Sequence, residues 1–393
     1  ARFMRFEAAI AVVTRRGEER MQRGHPWIYR SDVQDVQAAA GDLVQVKAPG
    51  GRPIGHALFS DRSEITLRIV EFGAAPPPPD FIRARLAAAI AYRDALVIDA
   101  TAYRLVHGEA DRLPSLVVDR YGDYLVVQAL SQGMDRRLPE VTQALKDLLH
   151  PAGILARNDP RVRLLEGLEQ TVEPLFGSVP ESMDVREAAV TYRVDPWRGQ
   201  KTGLFLDQRE NREAAARYAR GRLLDAFSYN GGFALALAPR CDSVLAVDIS
   251  EDAVVRIRDN AERNGIRNIE ARAMNVFDEL RELERRGERF EIIVLDPPAF
   301  AKSRAAVRKA MSGYKEINLR ALKLLAPGGT LVTCSCSYNV TEDLFLQLVA
   351  SAAADARAEL VLVEKRAQGR DHPILLNVPE THYLKCLILR RAA

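Results

Sequence analysis

Four short apolar runs punctuate the second half of this 393-residue chain: LLDAF (Leu223–Phe227), VLAVDIS (Val244–Ser250), IIVLDPP (Ile292–Pro298) and TLVTCSCS (Thr330–Ser337). Helical stretches separate them. Apolar strands that alternate with helices build a mostly parallel sheet with crossover connections. In such a sheet, ligands collect just beyond the carboxyl ends of the strands. Three of the runs bring an acid to that end (Asp225, Asp248, Asp296), and the fourth carries Cys334 and Cys336. The pattern therefore aims carboxylates, a proline-stiffened turn and a thiol at one crevice.

A chain of this length exceeds one ordinary core, so two or three domains are expected. With 47% hydrophobic and 28% charged residues it reads as globular and soluble. It has no apolar run of membrane-spanning length, and Met4–Arg20 has no signal-peptide core. Four cysteines without C-x-x-C spacing (Cys241, Cys334, Cys336, Cys386) suit reduced thiols in a cytoplasm, the expected location, and no metal site is expected. The net charge of +3 permits a nucleic-acid partner without arguing for one. Residues 1–72 read as all-β, with GDLVQVKA, PIGHALFS and ITLRIVEF as short strands. Four successive prolines in Gly73–Asp80 give a stiff linker, followed by a helical pattern over Phe81–Arg93. Ser115–Leu130 reads as two strands about a Tyr-Gly-Asp turn, with a helix near Arg137–Leu149. A second composition shift near Glu187 precedes a hairpin arm, which sets expected domains at 1–72, 73–185 and 186–393.

Gly221–Ala238 reads as strand, glycine turn (Gly231-Gly232) and helix. Glycines let a backbone approach a ligand, and a helix start offers unpaired N–H groups, although any tight strand-to-helix turn uses glycine too. Asp248, closing the next strand, is the usual partner of a ribose diol. The turn lacks the full G-x-G-x-x-G fingerprint, and Asp225 at the end of the first strand would repel a pyrophosphate. An amino-bearing cofactor, S-adenosylmethionine, fits better than a dinucleotide. Asn275 and Val276 stand at the third strand end, where an adenine edge can be met.

Pro297 and Pro298 restrict the backbone after Asp296, and Phe300 can stack on a base drawn into the crevice. Carbon 5 of a pyrimidine is a poor nucleophile until a thiolate adds at carbon 6. Asp296 can then stabilise charge at N3. Cys334 and Cys336 share a face by period-two alternation, but Cys336 lies nearer the ligand end, and Cys334 reads as packing. Buried structural cysteine is the reading for Cys241 and Cys386.

These stretches resemble the ribosomal RNA large subunit methyltransferase I family, along essentially the whole chain. The resemblance rests on GHPWIYRSDV, RLVHGEADRLPSLVVDRYGDYLVVQ, GQKTGLFLDQRENR, DAFSYNGGFALALA, LDPPAFAKS and SCSYNVTEDLFLQLV. It implies an α/β fold: a small β-barrel PUA domain, an α+β middle domain and a Rossmann-like seven-stranded methyltransferase domain. It also implies 5-methylcytidine formation in 23S ribosomal RNA with Cys336 as nucleophile, and it leaves a homodimer open. Asp225, Phe227, Tyr229, Gly231, Asp248 and Asn275 would contact the cofactor, with their neighbours Ser228, Gly232, Ile249 and Val276. Asp296 would adjoin it, and Gln200, Asp207 and Arg209 would close the pocket. Related enzymes carry a second cysteine in the acid motif, where Ala299 stands here, so the base that removes the C5 proton has no evident candidate.

Thr14–Arg30 interleaves arginines with His25, Trp27 and Tyr29. Arg15, Arg16 and Arg23 are expected on RNA phosphates, and the aromatics in a small β core. Lys302, Arg304, Arg308, Lys309 and Lys315 form a second basic run that can hold the strand flanking the target, or simply a solvated helix face. Turn-rich surroundings favour a structural role for His107 and Glu109. Two rival functions share many of these features: a base N-methyltransferase without a covalent intermediate, and a non-catalytic RNA-binding assembly factor.

Overall fold

In the computed structural model, which describes residues 9–300 and 307–393, the chain forms three larger sheets and one two-stranded ribbon. Contacts divide it into two units. One holds the chain up to Met183 with Val194–Leu204 and Arg370–Thr381; the other holds Asp184–Arg193, Phe205–Gly369 and His382–Ala393.

The first unit contains a six-stranded sheet, in spatial order Trp27–Tyr29, Ile65–Phe72, Pro53–Phe59, Leu43–Lys47, Ile10–Val13 and Val33–Gln37. The reading of residues 1–72 as wholly β needs one correction: Arg15–Gln22 is an α-helix. Thr14 caps it, its hydroxyl accepting from Gly17 N at 3.2 Å. Only Gly17 and Met21 of that helix are buried, so the apolar periodicity that betrays a helix is almost absent. The same unit holds a five-stranded sheet, ordered Thr171–Gly177, Gly153–Asn158, Tyr124–Ala129, Leu116–Tyr121 and Ala102–His107. Helices Phe81–Ala95 and Leu138–Leu149 pack on it through Ile82, Leu86, Val141 and Leu145. Glu109 accepts a hydrogen bond from Trp27 Nε1 at 3.0 Å. His107 is held neutral, far below its ordinary pKa, by burial first and by nearby cations next. Both serve the interior of the unit.

The second unit is built on a seven-stranded sheet. Its strands are β1 (Arg222–Ala226), β2 (Ser243–Asp248), β3 (Ile269–Ala273), β4 (Phe290–Leu295), β5 (Leu325–Ser335), β6 (Leu360–Arg366) and β7 (Lys385–Arg391). The spatial order is 3-2-1-4-5-7-6, parallel except for β7, which runs antiparallel to both neighbours. Successive residues of β4 feed opposite faces: Ile292 and Val294 join one apolar cluster, Ile293 and Leu295 the other. Leu223 and Leu224 divide in the same way. Helices cover both faces, which is why these strands are apolar without interruption. The order reverses between β1 and β4, so the crevice at this switch point opens beyond Ala226 and Leu295.

A two-stranded ribbon, Met183–Glu187 with Val190–Val194, precedes this sheet. Glu187 is tied to helix Arg209–Ala216 by an ion pair with Arg212, at 2.7 Å, both side chains 5% exposed. Removing one partner of a buried pair strands the other charge. Glu187→Ala should therefore destabilise the protein by roughly 3–5 kcal/mol, read from thermal unfolding. An unchanged melting temperature would contradict this.

Candidate active site

Asp225 is the innermost acid of the switch-point crevice, 1% exposed. Its Oδ2 accepts from Ser228 Oγ at 2.6 Å and from Ala234 N at 2.9 Å. Its Oδ1 is buried without a hydrogen-bond partner. Burial pushes its carboxyl up to about 7, against the opposing pull of those two hydrogen bonds. A buried carboxylate with an idle oxygen is an acceptor waiting for a cationic donor.

The turn after β1 is wound tightly over this acid. Phe227, Tyr229 and Gly231 all have positive φ, at 62°, 53° and 85°. Only glycine takes that region without cost, so the two aromatic residues store about 1 kcal/mol or more each. The turn is braced by Ser228 N donating to Val247 O at 3.0 Å and Tyr229 N donating to Asp248 Oδ2 at 2.9 Å. Asp248 Oδ1 accepts from Ser250 N at 3.0 Å, which leaves further lone pairs on each oxygen. Beside it, Ile249 is 71% and Met274 41% exposed, two apolar side chains at adjoining strand ends. Asn275 Oδ1 caps helix Val276–Arg285, which leaves its side-chain amide N–H groups as outward donors, while Val276 is buried. The idle oxygen, the diol-type acid and the apolar flank together fit an aminoacyl nucleoside such as S-adenosylmethionine.

The acid turn follows β4. Asp296 Oδ1 accepts from Gln208 Nε2 at 2.9 Å. Gln208 is itself fixed by Asn211 Nδ2, which donates to its Oε1 at 2.7 Å. Pro297 is buried and Pro298 exposed. Phe300 is half-buried in an aromatic cluster, its ring 4.6 Å from Tyr314 and 6.3 Å from Phe227. Strand β5 ends at Ser335, and Cys336, half-buried, is the next residue, its Sγ 3.9 Å from the Pro297 carbonyl. Cys334 is wholly buried opposite Cys386 on β7. Periodicity had put both thiols on one face, but the end of the strand separates them.

Asp207 and Arg209 are 2% exposed; Asp207 accepts from the Tyr383 hydroxyl at 2.8 Å, and Arg209 lies 3.8 Å from Glu210. Gln200 is exposed and belongs to the first unit, as do Arg15, Arg16 and Arg23. All three arginines are exposed; Arg15 lies 3.5 Å from Glu19, and Arg16 is engaged by Asp32 and Ser31. Lys302 and Arg304 lie outside the described residues. Three side chains at or next to these residues escaped the sequence reading: Gln208, Met274 and Tyr338. Gln208 sits inside the LDQREN stretch, and Tyr338, 65% exposed two residues past Cys336, inside SCSYN.

The protonation of Asp225 yields a test. An ammonium group on Oδ1 favours the charged carboxylate, so below a pH of about 7 binding must expel a proton. The affinity for S-adenosylmethionine should therefore fall as the pH drops through that value, by at most about tenfold per pH unit. Asp225→Asn should weaken binding and flatten the pH profile. Calorimetric titration checks both, and an unaltered affinity in the variant would contradict the assignment.

Two family models match the sequence: an S-adenosylmethionine-dependent methyltransferase over residues 103–390 and a PUA-like domain over 11–72. A ribosomal RNA large subunit methyltransferase I from Aeromonas hydrophila is 41% identical, the match covering 98% of this chain and 99% of the relative. The protein of the same name from Tolumonas auensis is 40% identical, covering 95% and 97%. Among solved structures, SMU.776, described as a methyltransferase complexed with SAH, superposes with a TM-score of 0.84 at 20% identity, over 96% of this chain and 99% of that one. That likeness concerns the fold. S-Adenosylmethionine is the cofactor of the matched family. Matched along nearly its whole length by such relatives, the chain belongs to the ribosomal RNA large subunit methyltransferase I family.

Proposed function

We propose that this protein methylates carbon 5 of a cytidine in 23S ribosomal RNA through a transient bond between Cys336 and carbon 6 of the base. The observation that carries this reading is the half-buried sulfur of Cys336 beside the carbonyl of Pro297, 3.9 Å away, on the turn that begins with Asp296. The relatives' names supply the ribosomal RNA.

Asp225 would hold the cofactor's amino group, Asp248 its ribose and the side-chain amide of Asn275 its base, with Ile249 and Met274 as the apolar flank. Bound there, S-adenosylmethionine supplies an electrophilic methyl group. Cys336 donates a sulfur electron pair to carbon 6, and the C5=C6 pair moves to carbon 5, making it nucleophilic. Asp296, oriented by Gln208, stabilises the charge that develops at N3. Once carbon 5 is methylated, its proton leaves to a base. The electron pair re-forms C5=C6, and the C6–S bond breaks to return the thiolate.

Cys336→Ala should abolish turnover while leaving S-adenosylmethionine binding intact. RNA carrying 5-fluorocytidine, which has no C5 proton to lose, should trap a covalent adduct with the unaltered enzyme and none with the variant. Substantial turnover by Cys336→Ala would sink the covalent route and favour methylation of a base nitrogen. Gln208→Ala, which removes the amide bonded to Asp296 Oδ1, should lower the chemical rate by about tenfold to a hundredfold, with cofactor affinity nearly unchanged.

RNA binding can be tested separately. The exposed Arg15 and Arg23, in the segment matched as PUA-like, are the phosphate contacts proposed here. Replacing either by Ala should weaken RNA binding and reduce the slope of log affinity against log salt by about one. An unchanged slope would remove that arginine from the interface.

A further inference from the structure

Lys385 is the first residue of β7 and is 2% exposed. Its backbone is the register partner of Ser335, the last residue of β5. Its Nζ reaches past that strand end to donate to the Ser337 carbonyl at 2.7 Å and to the Tyr383 carbonyl at 2.8 Å. The side chain is thus anchored opposite residue 335 and bonded at residue 337, which lays the ammonium along the peptide that carries Cys336.

Both hydrogen-bond partners are neutral carbonyls. Among the described residues no carboxylate lies within ion-pair distance of Nζ; the nearby Glu342 is engaged by Lys365 at 2.6 Å. A buried cation without a counter-charge is costly, and proteins rarely keep one without a compensating anion. Against that burial, Cys336 in its thiolate form and Glu342 both favour the charged form of Lys385.

We propose that Lys385 is the counter-ion of the Cys336 thiolate, a positioning residue that keeps the nucleophile in its reactive, anionic form. The thiol loses its proton to solvent, the charged Lys385 ammonium stabilises the thiolate left behind, and the sulfur keeps the electron pair that forms the C6–S bond. On elimination the sulfur departs with the same pair and faces the same ammonium again. Burial lowers the Lys385 ammonium to about 8, which leaves it mostly charged at neutral pH, as a counter-ion to a thiolate must be. Nζ is bonded to the Ser337 and Tyr383 carbonyls, and the ionisable groups whose charge acts on it are Cys336 and Glu342. The Tyr314 hydroxyl lies 2.8 Å from Ser337 Oγ and is kept protonated by burial, so it adds no charge.

This proposal deepens the covalent reading above and rests on it for turnover, but the state of the thiol can be measured without turnover. The pH dependence of Cys336 alkylation by iodoacetamide, read by peptide mass spectrometry on the full-length protein, should show a midpoint below about 8.5, the value of an unperturbed thiol. Lys385→Met, close in shape and uncharged, should raise that midpoint by about one unit or more and slow alkylation at neutral pH about tenfold. Lys385→Arg, which keeps the charge, should retain much of the low midpoint. Single-turnover methylation by Lys385→Met should fall about tenfold at neutral pH and recover as the pH rises. A lysine that merely stitches backbone would shift the melting temperature of Lys385→Met and leave the thiol midpoint alone, which overturns the proposal. If the Met variant does not fold, the unaltered protein decides: a Cys336 midpoint at or above the ordinary thiol value refutes the pairing. Turnover retained by Cys336→Ala would refute the covalent reading, while the alkylation titration still reports on the Lys385 pair.

Discussion

The central strands β1, β2, β4 and β5 are packed on both faces, so a side chain that must reach a ligand can do so only at the strand ends. That single constraint sorts the chemistry of the second unit. Leu223, Ile292, Ile293 and Leu331 are wholly buried and carry no function beyond packing. The positions where each strand leaves the sheet carry Asp225, Asp248, Asp296 and Cys336. The switch between β1 and β4 then decides which ends share a crevice, because adjacent crossovers lead away from it on opposite faces. Cys334 illustrates the same rule. Two residues earlier on β5, it is sealed between the strands opposite Cys386, and contact with that second thiol together with burial drives its own thiol well above the ordinary range. Only past Ser335 does a sulfur meet the open end.

The acids at this rim sit in different surroundings, and their roles follow. Asp225 has one satisfied oxygen and one idle one, so burial dominates and its carboxyl is raised. The sign of its effect on folding follows from that shift. The stabilisation it lends is full below its unfolded value near 3.8 and is lost as the pH rises through about 7. Ionised Asp225 is therefore destabilising, and the cofactor ammonium group proposed to bind there would offset that cost. Asp296 is instead tied into a chain of amide and ionic contacts: Gln208, then Asn211, then Arg366 at 3.0 Å, then Glu364 at 2.9 Å, then the Tyr218 hydroxyl at 2.6 Å. One acid waits for a ligand; the other is aimed by the protein.

Much of this architecture was readable from local pattern. Runs such as IIVLDPP and VLAVDIS announce parallel strands because both faces must be apolar, and their terminal acids mark the ligand end. What stayed hidden depends on partners distant in sequence or on weak periodicity. Helix Arg15–Gln22 buries only Gly17 and Met21, so its clearest signal is the capping Thr14 rather than an apolar stripe. Strand β6 carries Val361, Leu362 and Val363 more than two-fifths exposed, an apolar run that does not mark a core. Gln208 reads as one polar residue among several until Asp296, far along the chain, is brought to it. Lys385 looks like a lysine escaping from the strand KCLILRR, and its acceptor at Ser337 lies on another strand's end. No local pattern can separate a snorkelling lysine from a buried one.

The turn from Phe227 to Gly231 shows where strain is stored and what holds it. Two aromatic residues in the left-handed region would relax in an isolated peptide. Here the Phe205 and Tyr229 rings meet edge to face at 5.3 Å, Arg256 donates to the Tyr229 hydroxyl at 3.3 Å, and Asp248 grips the Tyr229 amide. Asp248 thus has two tasks, since the carboxylate proposed for the ribose also fixes the turn that covers Asp225. Loss of that carboxylate would release the turn and remove a ligand contact together, whereas Asp248→Asn keeps an acceptor for the Tyr229 amide. A difference between the Ala and Asn variants in cofactor affinity would therefore measure the preorganisation of the turn rather than the ribose contact alone.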